Sequence, residues 1–196
     1  MVEAFYRRTR VIARLIMSIL FPIRIIGDEN IPPDGPAILC SNHISLIDPI
    51  ALGCALKRPV RYMAKKELFG TRWFGAFLKK LGAFAVSRGE SDLKAVRESL
   101  KLLGNGELLA IYPQGHRYKR DEFKEVLSGA ALIALRAKTT VIPVFMSPYR
   151  LFRRLRIRIG APLNMSDLWG KADNAAVQEA RRRIADGIWS GTSNPS

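Results

Sequence analysis

Pro36-Ala37-Ile38-Leu39-Cys40-Ser41-Asn42-His43-Ile44-Ser45-Leu46-Ile47-Asp48-Pro49-Ile50-Ala51-Leu52-Gly53-Cys54-Ala55-Leu56 joins two apolar runs through a polar turn. The first run is short and follows a Pro/Gly cluster, so it reads as a buried strand. The second opens with Pro49, a residue suited to the first helical position, and reads as a helix. A strand feeding a helix is the unit of an α/β sheet, and His43 and Asp48 fall at the crossing. On one continuous helix an interval of five would set the two side chains roughly 140° apart. With residues 42–45 in a turn and the helix starting near Asp48, the carboxylate folds back to the imidazole instead. One ring nitrogen is then held by Asp48, and the other is free to take a proton from an alcohol. The same residues also fit a helix cap at Asp48 with His43 as a hydrogen-bonded turn residue. There is no Gly-x-Ser-x-Gly elbow, and Ser45 reads as a capping residue, so a covalent triad is not indicated.

Upstream, residues 5–21 place Phe5, Val11, Ile12, Leu15, Ile16, Ile19 and Leu20 on one side of a helix, with Arg7, Arg10, Arg14 and Ser18 on the other. Arg14 and Arg24 interrupt the apolar run short of the roughly 20 residues a spanning helix needs. A basic amphipathic helix lying in the membrane interface is expected; a helix packed on the domain's own core is the alternative. Residues 27–36 are dense in turn formers and read as a linker. This divides the chain into an N-terminal amphipathic anchoring segment, 1–26, and one domain, 27–196.

Downstream, strands and helices alternate. Strands are expected near 59–65, 82–89, 108–112, 141–146 and 155–159, and helices over 67–81, 91–103, 128–138 and 173–189. The pattern is that of a single α/β domain with a mixed, mostly parallel central sheet flanked by helices. Ligands of such sheets collect beyond the strand ends, where His43, Arg88 and Arg117 all fall. The fork of an arginine guanidinium matches phosphate oxygens, so Arg88 and Arg117 suit a phosphate; solvated salt bridges are the other reading. The aromatic helix at 67–81 reads as core, with a membrane contact or acyl-chain wall as the alternative.

The length of 196 residues, 48% of them hydrophobic, suits one domain with a substantial core. A net charge of +15, from 32 Lys and Arg against 17 Asp and Glu, suits an anionic surface, phospholipid or nucleic acid. Cys40 and Cys54 lie in apolar segments without Cys-x-x-Cys spacing, which predicts buried free thiols in a reducing, cytosol-facing setting. His43 and Asp48 have no further ligands at metal-site spacing, so no metal or cofactor is expected.

Taken together, these residues resemble the glycerolipid acyltransferases typified by 1-acyl-sn-glycerol-3-phosphate acyltransferase. Asn42-His43-Ile44-Ser45-Leu46-Ile47-Asp48 is similar to the family's Asn-His-x4-Asp motif, and Gly82–Arg88 to Gly-x-Phe-x-x-x-Arg. Val141-Ile142-Pro143-Val144 resembles the fourth block. The third, usually Phe-Pro-Glu-Gly-Thr-Arg, reads Tyr112-Pro113-Gln114-Gly115-His116-Arg117, with Gln114 in place of the carboxylate.

The resemblance implies transfer of an acyl group from acyl-CoA or acyl-carrier protein to the sn-2 hydroxyl of 1-acylglycerol 3-phosphate, giving phosphatidic acid. It implies His43 and Asp48 as catalytic residues, and Asn42, Arg88, Gln114, Gly115 and Arg117 as substrate-binding residues. It also implies a protein held peripherally or monotopically on the cytoplasmic side of the cell membrane, against anionic phospholipid. Another acceptor, such as glycerol 3-phosphate or a different lysophospholipid, is the rival within that chemistry. A non-catalytic lipid- or nucleic-acid-binding domain gripping phosphates through Arg153-Arg154-x-Arg156-x-Arg158 and Arg181-Arg182-Arg183 is the rival outside it; nucleic acid is not the expected partner.

Overall fold

The computed structural model describes residues 2–87, 93–117, 126–171 and 173–190. Seven strands form one sheet in the order β1-β7-β6-β2-β5-β3-β4: β1 Ile23–Ile26, β2 Ala37–Ser41, β3 Val60–Lys65, β4 Ala83–Val86, β5 Leu108–Ile111, β6 Thr140–Met146 and β7 Leu155–Ile159. Every pairing is parallel except β6 with β7. The helices are α1 Val2–Leu20, α2 Asp48–Ala55, α3 Arg72–Lys80, α4 Leu93–Gly104, α5 Ser128–Ala137 and α6 Asn174–Ser190.

Successive residues of a strand face opposite sides, and β2 shows this directly. Ile38 and Cys40 enter a core shared with α5 and α6 through Ala131, Ala134, Ala180 and Ile184. Ala37 and Leu39 enter the opposite core, with Met17 of α1, Phe21, and Ala51 and Leu52 of α2. The sheet is therefore covered on both faces, which is why its central strands read as unbroken apolar runs. The strand order β5-β2-β6 matters most for function. β2 leads into α2 on one face of the sheet and the neighbouring β5 precedes α5 on the other, the arrangement in which α/β sheets take ligands beyond the carboxyl ends of their strands.

Two elements differ from the sequence expectation. Ile23–Ile26, assigned above to the N-terminal segment, is an edge strand of the sheet, paired in parallel with β7 from Ile23↔Leu155 onward. The single helix expected over 67–81 is a 3₁₀ turn at Lys66–Phe69 followed by α3. Gly75 explains the fold-back: a Cβ there would lie 2.7 Å from the Phe69 carbonyl oxygen, so only glycine lets α3 close against that turn. Nor is this segment a core element, since its only buried residue is Gly75 and Trp73 is exposed.

Helix α1 packs on the domain along one side and leaves an apolar stripe exposed along the other. Tyr6 and Met17 are buried, and the Tyr6 hydroxyl accepts the Val60 backbone N–H at 3.2 Å. Val11, Ile12, Leu15, Ile16 and Ile19 point the other way and are 50% to 68% exposed. Isolated exposed apolar residues are ordinary, but a stripe of five along one helix marks an interaction face. Among the described residues, no helix is long and apolar enough to cross a membrane.

Candidate active site

The site begins where β2 ends. Residues 42–45 leave the strand as irregular chain, and a turn at Leu46 and Ile47 delivers Asp48 as the first residue of α2 with Pro49 behind it. The Ser45 hydroxyl accepts the Ile47 N–H at 3.3 Å, and the Asp48 N–H reaches the Ser45 carbonyl at 3.3 Å, which closes the turn. This geometry returns the Asp48 carboxylate to His43. Oδ2 lies 2.8 Å from Nδ1 of the ring and also accepts the backbone N–H groups of Ile44, at 2.7 Å, and Ser45, at 2.8 Å.

Asp48 is wholly buried and His43 only 9% exposed. A buried carboxylate is costly unless its lone pairs are filled, and here they are. Oδ1 accepts the Tyr149 hydroxyl at 2.8 Å. Burial foremost, with the Asp48 charge adding to it, pushes the Tyr149 phenol up, so it stays a proton donor. With Nδ1–H committed to the carboxylate, Nε2 is the nitrogen left as a base. The Tyr112 ring stacks on the imidazole, centroids 4.3 Å apart and planes 27° from parallel, and fixes its tilt.

Tyr112 comes off β5 and Tyr149 follows β6, the two strands that flank β2. Neither is expected in the site from sequence: Tyr112 stands there only as the first residue of the third block, and Tyr149 is not singled out. Their signal is tertiary, since nothing in a tyrosine 101 residues from Asp48 announces the contact.

Asn42, placed above among the substrate contacts, has its amide occupied by the protein. Its Nδ2 donates to the Met146 carbonyl at 2.9 Å and its Oδ1 accepts the Met146 N–H at 2.7 Å. Both bonds extend the β2–β6 ladder past its last backbone pair, so Asn42 locks the floor of the site to β6. Gln114 is 4% exposed, and neither amide atom has a hydrogen-bond partner among the described residues. Gly115 adopts φ +71° in the turn that follows, where its N–H donates to the Tyr112 carbonyl at 3.0 Å; a Cβ would meet Leu127 at 2.7 Å. Arg117 is exposed at the end of this loop, as is His116. Arg88 lies outside the described residues. Of the expected site residues, the structure brings together His43, Asp48 and Asn42, with the Gln114–Gly115 turn reached through Tyr112.

The basic cluster Arg181–Arg183 on α6 is largely satisfied within the protein. Arg182 pairs with Glu179 and Asp186, and Arg183 with Glu179 and both carboxylate oxygens of Asp167. These arginines hold the Glu179 carboxyl down to about 2. Arginines already paired with carboxylates of α6 and of the neighbouring 166–168 turn are a poor grip for nucleic acid.

In a doubly covered α/β sheet, a nearly buried imidazole paired with a buried carboxylate at the carboxyl end of a central strand is an arrangement that can support general-base chemistry. Residues 22–147 match the Acyltransferase family model, and the chain belongs to that family. It is 34% identical over 177 residues to the 1-acyl-sn-glycerol-3-phosphate acyltransferase of Bacillus subtilis, covering 85% of this chain and 88% of that one. To the enzyme of the same name from Streptococcus pneumoniae it is 30% identical over 190 residues, 92% of this chain and 70% of that one. Its fold is similar to the solved structure of the 1-acyl-sn-glycerophosphate acyltransferase of Thermotoga maritima, with a TM-score of 0.67 over 98% of this chain and 79% of that one at 19% identity.

Proposed function

We propose that this chain is an O-acyltransferase that moves a fatty acyl group from an acyl thioester to the sn-2 hydroxyl of 1-acylglycerol 3-phosphate, producing phosphatidic acid at a membrane surface. The observation that carries the reading is the 2.8 Å contact between His43 Nδ1 and the fully buried Asp48 carboxylate, in a chain of the acyltransferase family. The names of the relatives support the acceptor.

In the proposed reaction His43 Nε2 takes the hydroxyl proton as the oxygen attacks the thioester carbon. The resulting imidazolium is stabilised by Asp48, whose own position is fixed by Ile44, Ser45 and Tyr149. The tetrahedral adduct then expels the thiolate, which recovers the proton from His43, so no acyl-enzyme is formed. Either acyl-CoA or acyl-carrier protein serves as the donor. The acceptor's phosphate is assigned to Arg117 and Arg88, with Gly115 allowing close approach of the backbone. The unpartnered Gln114 amide, which has donors that a glutamate lacks, is assigned to a hydrogen bond with the acceptor.

The exposed stripe on α1 would lie on the cytoplasmic surface of an anionic bilayer without crossing it. Burying each half-exposed Leu, Ile or Val there contributes about 1 kcal/mol. Helix α1 would thus meet lipid on one side while its other side shares a core with α2, the helix that carries Asp48.

The test is free-thiol release from acyl-CoA and from acyl-carrier protein on vesicles, with lysophosphatidate, glycerol 3-phosphate and lysophosphatidylcholine offered in parallel. Lysophosphatidate should give the largest kcat/KM and yield phosphatidate. Preference for glycerol 3-phosphate would move the assignment to the other acceptor. Absence of turnover with all three, alongside intact vesicle binding, would make the chain a non-catalytic lipid-binding member.

A further inference from the structure

The connection between β6 and β7, residues 147–154, is an antiparallel return carrying Tyr149-Arg150-Leu151-Phe152-Arg153-Arg154. Its two ends do opposite things. Tyr149 turns inward, with its hydroxyl on Asp48 and its ring edge-on to Phe21 at 5.4 Å. Leu151 and Phe152 turn outward and are 53% and 65% exposed. Phe152 does so at φ +59°, in the left-handed region that a bulky side chain rarely occupies.

Three backbone bonds hold the loop in this form. The Phe152 N–H donates to the Leu20 carbonyl at 2.7 Å, the Arg153 N–H to the Arg150 carbonyl at 2.9 Å, and the Leu155 N–H to the Pro22 carbonyl at 2.9 Å. One of the three ties the loop to the last residue of α1 and another to Pro22 just beyond it. Ile16 and Ile19 are exposed within about a turn of Leu20, so Leu151 and Phe152 add exposed apolar surface near the end of the α1 stripe. Arg150, Arg153 and Arg154 are all exposed beside the tip.

We propose that the 150–154 loop is a second membrane-insertion element, a wedge of Leu151 and Phe152 ringed by Arg150, Arg153 and Arg154, and that its partner is a bilayer containing anionic phospholipid. The inference rests on the membrane-surface reading of the proposed function. A bilayer satisfies both halves of the loop: the side chains enter the boundary between head groups and acyl chains while the guanidiniums engage lipid phosphates. Nucleic acid would use the arginines and leave the apolar tip in water. With α1 and the loop both seated, the protein meets the bilayer at two points, and Tyr149 and Asp48 stand just behind the second. The site would thus be held facing the lipid that supplies its acceptor.

The full chain is used for the test, because Cys40 and Cys54 are buried and a single new cysteine can be labelled selectively. Phe152→Cys and Ile16→Cys are each labelled with an environment-sensitive fluorophore and mixed with vesicles of phosphatidylcholine alone or equimolar with phosphatidylglycerol, carrying nitroxide-labelled lipid. Quenching at both positions on the mixed vesicles is expected. The double variant L151S/F152S should bind these vesicles about 10-fold more weakly, while its turnover of a short-chain, monomeric lysophosphatidate stays at the wild-type value. Quenching at residue 16 with none at residue 152 would overturn the wedge and leave the membrane reading standing. No binding of wild type to either vesicle would overturn both. Protection of the label at 152 by added unlabelled protein without vesicles would assign the tip to a second copy of the chain and overturn the lipid assignment.

Discussion

Asp48→Asn separates what the Asp48 charge does from what its shape does. The carboxylate receives three donors on Oδ2, from His43, Ile44 and Ser45, and one on Oδ1, from Tyr149. An asparagine places its carbonyl oxygen where Oδ2 was and keeps all three. Its amide then faces Tyr149, whose hydroxyl reverses to accept. The fold and the ring tautomer survive, and what is lost is the negative charge beside the imidazolium formed during transfer.

Charge-assisted hydrogen bonds contribute about 1.5–3 kcal/mol net against about 1 kcal/mol for neutral ones, a difference of about 0.5–2 kcal/mol. That converts to a fall in kcat of about 2- to 30-fold. The Coulomb figure of about 4 kcal/mol at 4 Å and an effective dielectric near 20 is a ceiling, because the amide dipole retains part of the interaction. KM for the acceptor should not change, since Asp48 is fully buried and reserved for the ring. The assay is thioester release under saturating donor, with circular dichroism to verify the fold. Wild-type kcat in a folded Asp48→Asn protein would refute the charge role. Asp48→Ala offers the contrast: two backbone N–H groups and a tyrosine hydroxyl lose their acceptor, at about 1–3 kcal/mol each, and unfolding at lower temperature is expected.

Tyr149→Phe keeps the ring contact with Phe21 and removes one donor from Asp48. A buried carboxylate oxygen that loses its donor should lower the melting temperature by the equivalent of about 1–3 kcal/mol, with a smaller fall in kcat than removal of the His43 ring causes; an unchanged melting temperature and kcat would exclude the contact from the support of the site. Gln114→Glu puts an acid where a buried amide has no partner, so acceptor KM or acceptor choice should change while donor KM does not, measured on the same acceptor panel. For the native thiols the expectation is inertness. Burial pushes Cys40 up to about 12, which at pH 8 leaves roughly one thiolate in 10⁴, and also raises Cys54, so thiol-specific reagents should modify neither until denaturant is added. Rapid labelling of native protein would contradict that burial.

The strand–turn–helix unit was legible because its information is local. A short apolar run and Pro49 suffice to place a helix start near Asp48; the spacing of His43 and Asp48 allowed the acid either to fold back to the ring or only to cap the helix, and the 2.8 Å contact decides between them. Strand β1 was not, because Ile23–Ile26 continues the apolar stretch of α1, and its partner β7 is remote in sequence. The break at Gly70 and Thr71 was hidden for a related reason: the need for glycine at position 75 is set by a backbone contact that no periodicity reports. In the site, sequence spacing supplies the pair along one segment. Tyr112 and Tyr149 reach it only because β2 lies between β5 and β6, and strand order is a property of the whole sheet. The same neighbourhood redirected Asn42, whose motif position suggested substrate and whose amide instead clamps Met146.

Replacing His43 by alanine removes the base and leaves Asp48 with its two backbone donors and Tyr149. The decisive measurement is single-turnover thiol release with lysophosphatidate on anionic vesicles, comparing this variant with wild type at equal vesicle-bound concentration. A loss of at least about 100-fold in the chemical step, with binding to vesicles unchanged, is the result expected if Nε2 takes the proton. Turnover equal to wild type in a folded, membrane-bound His43→Ala protein would contradict it.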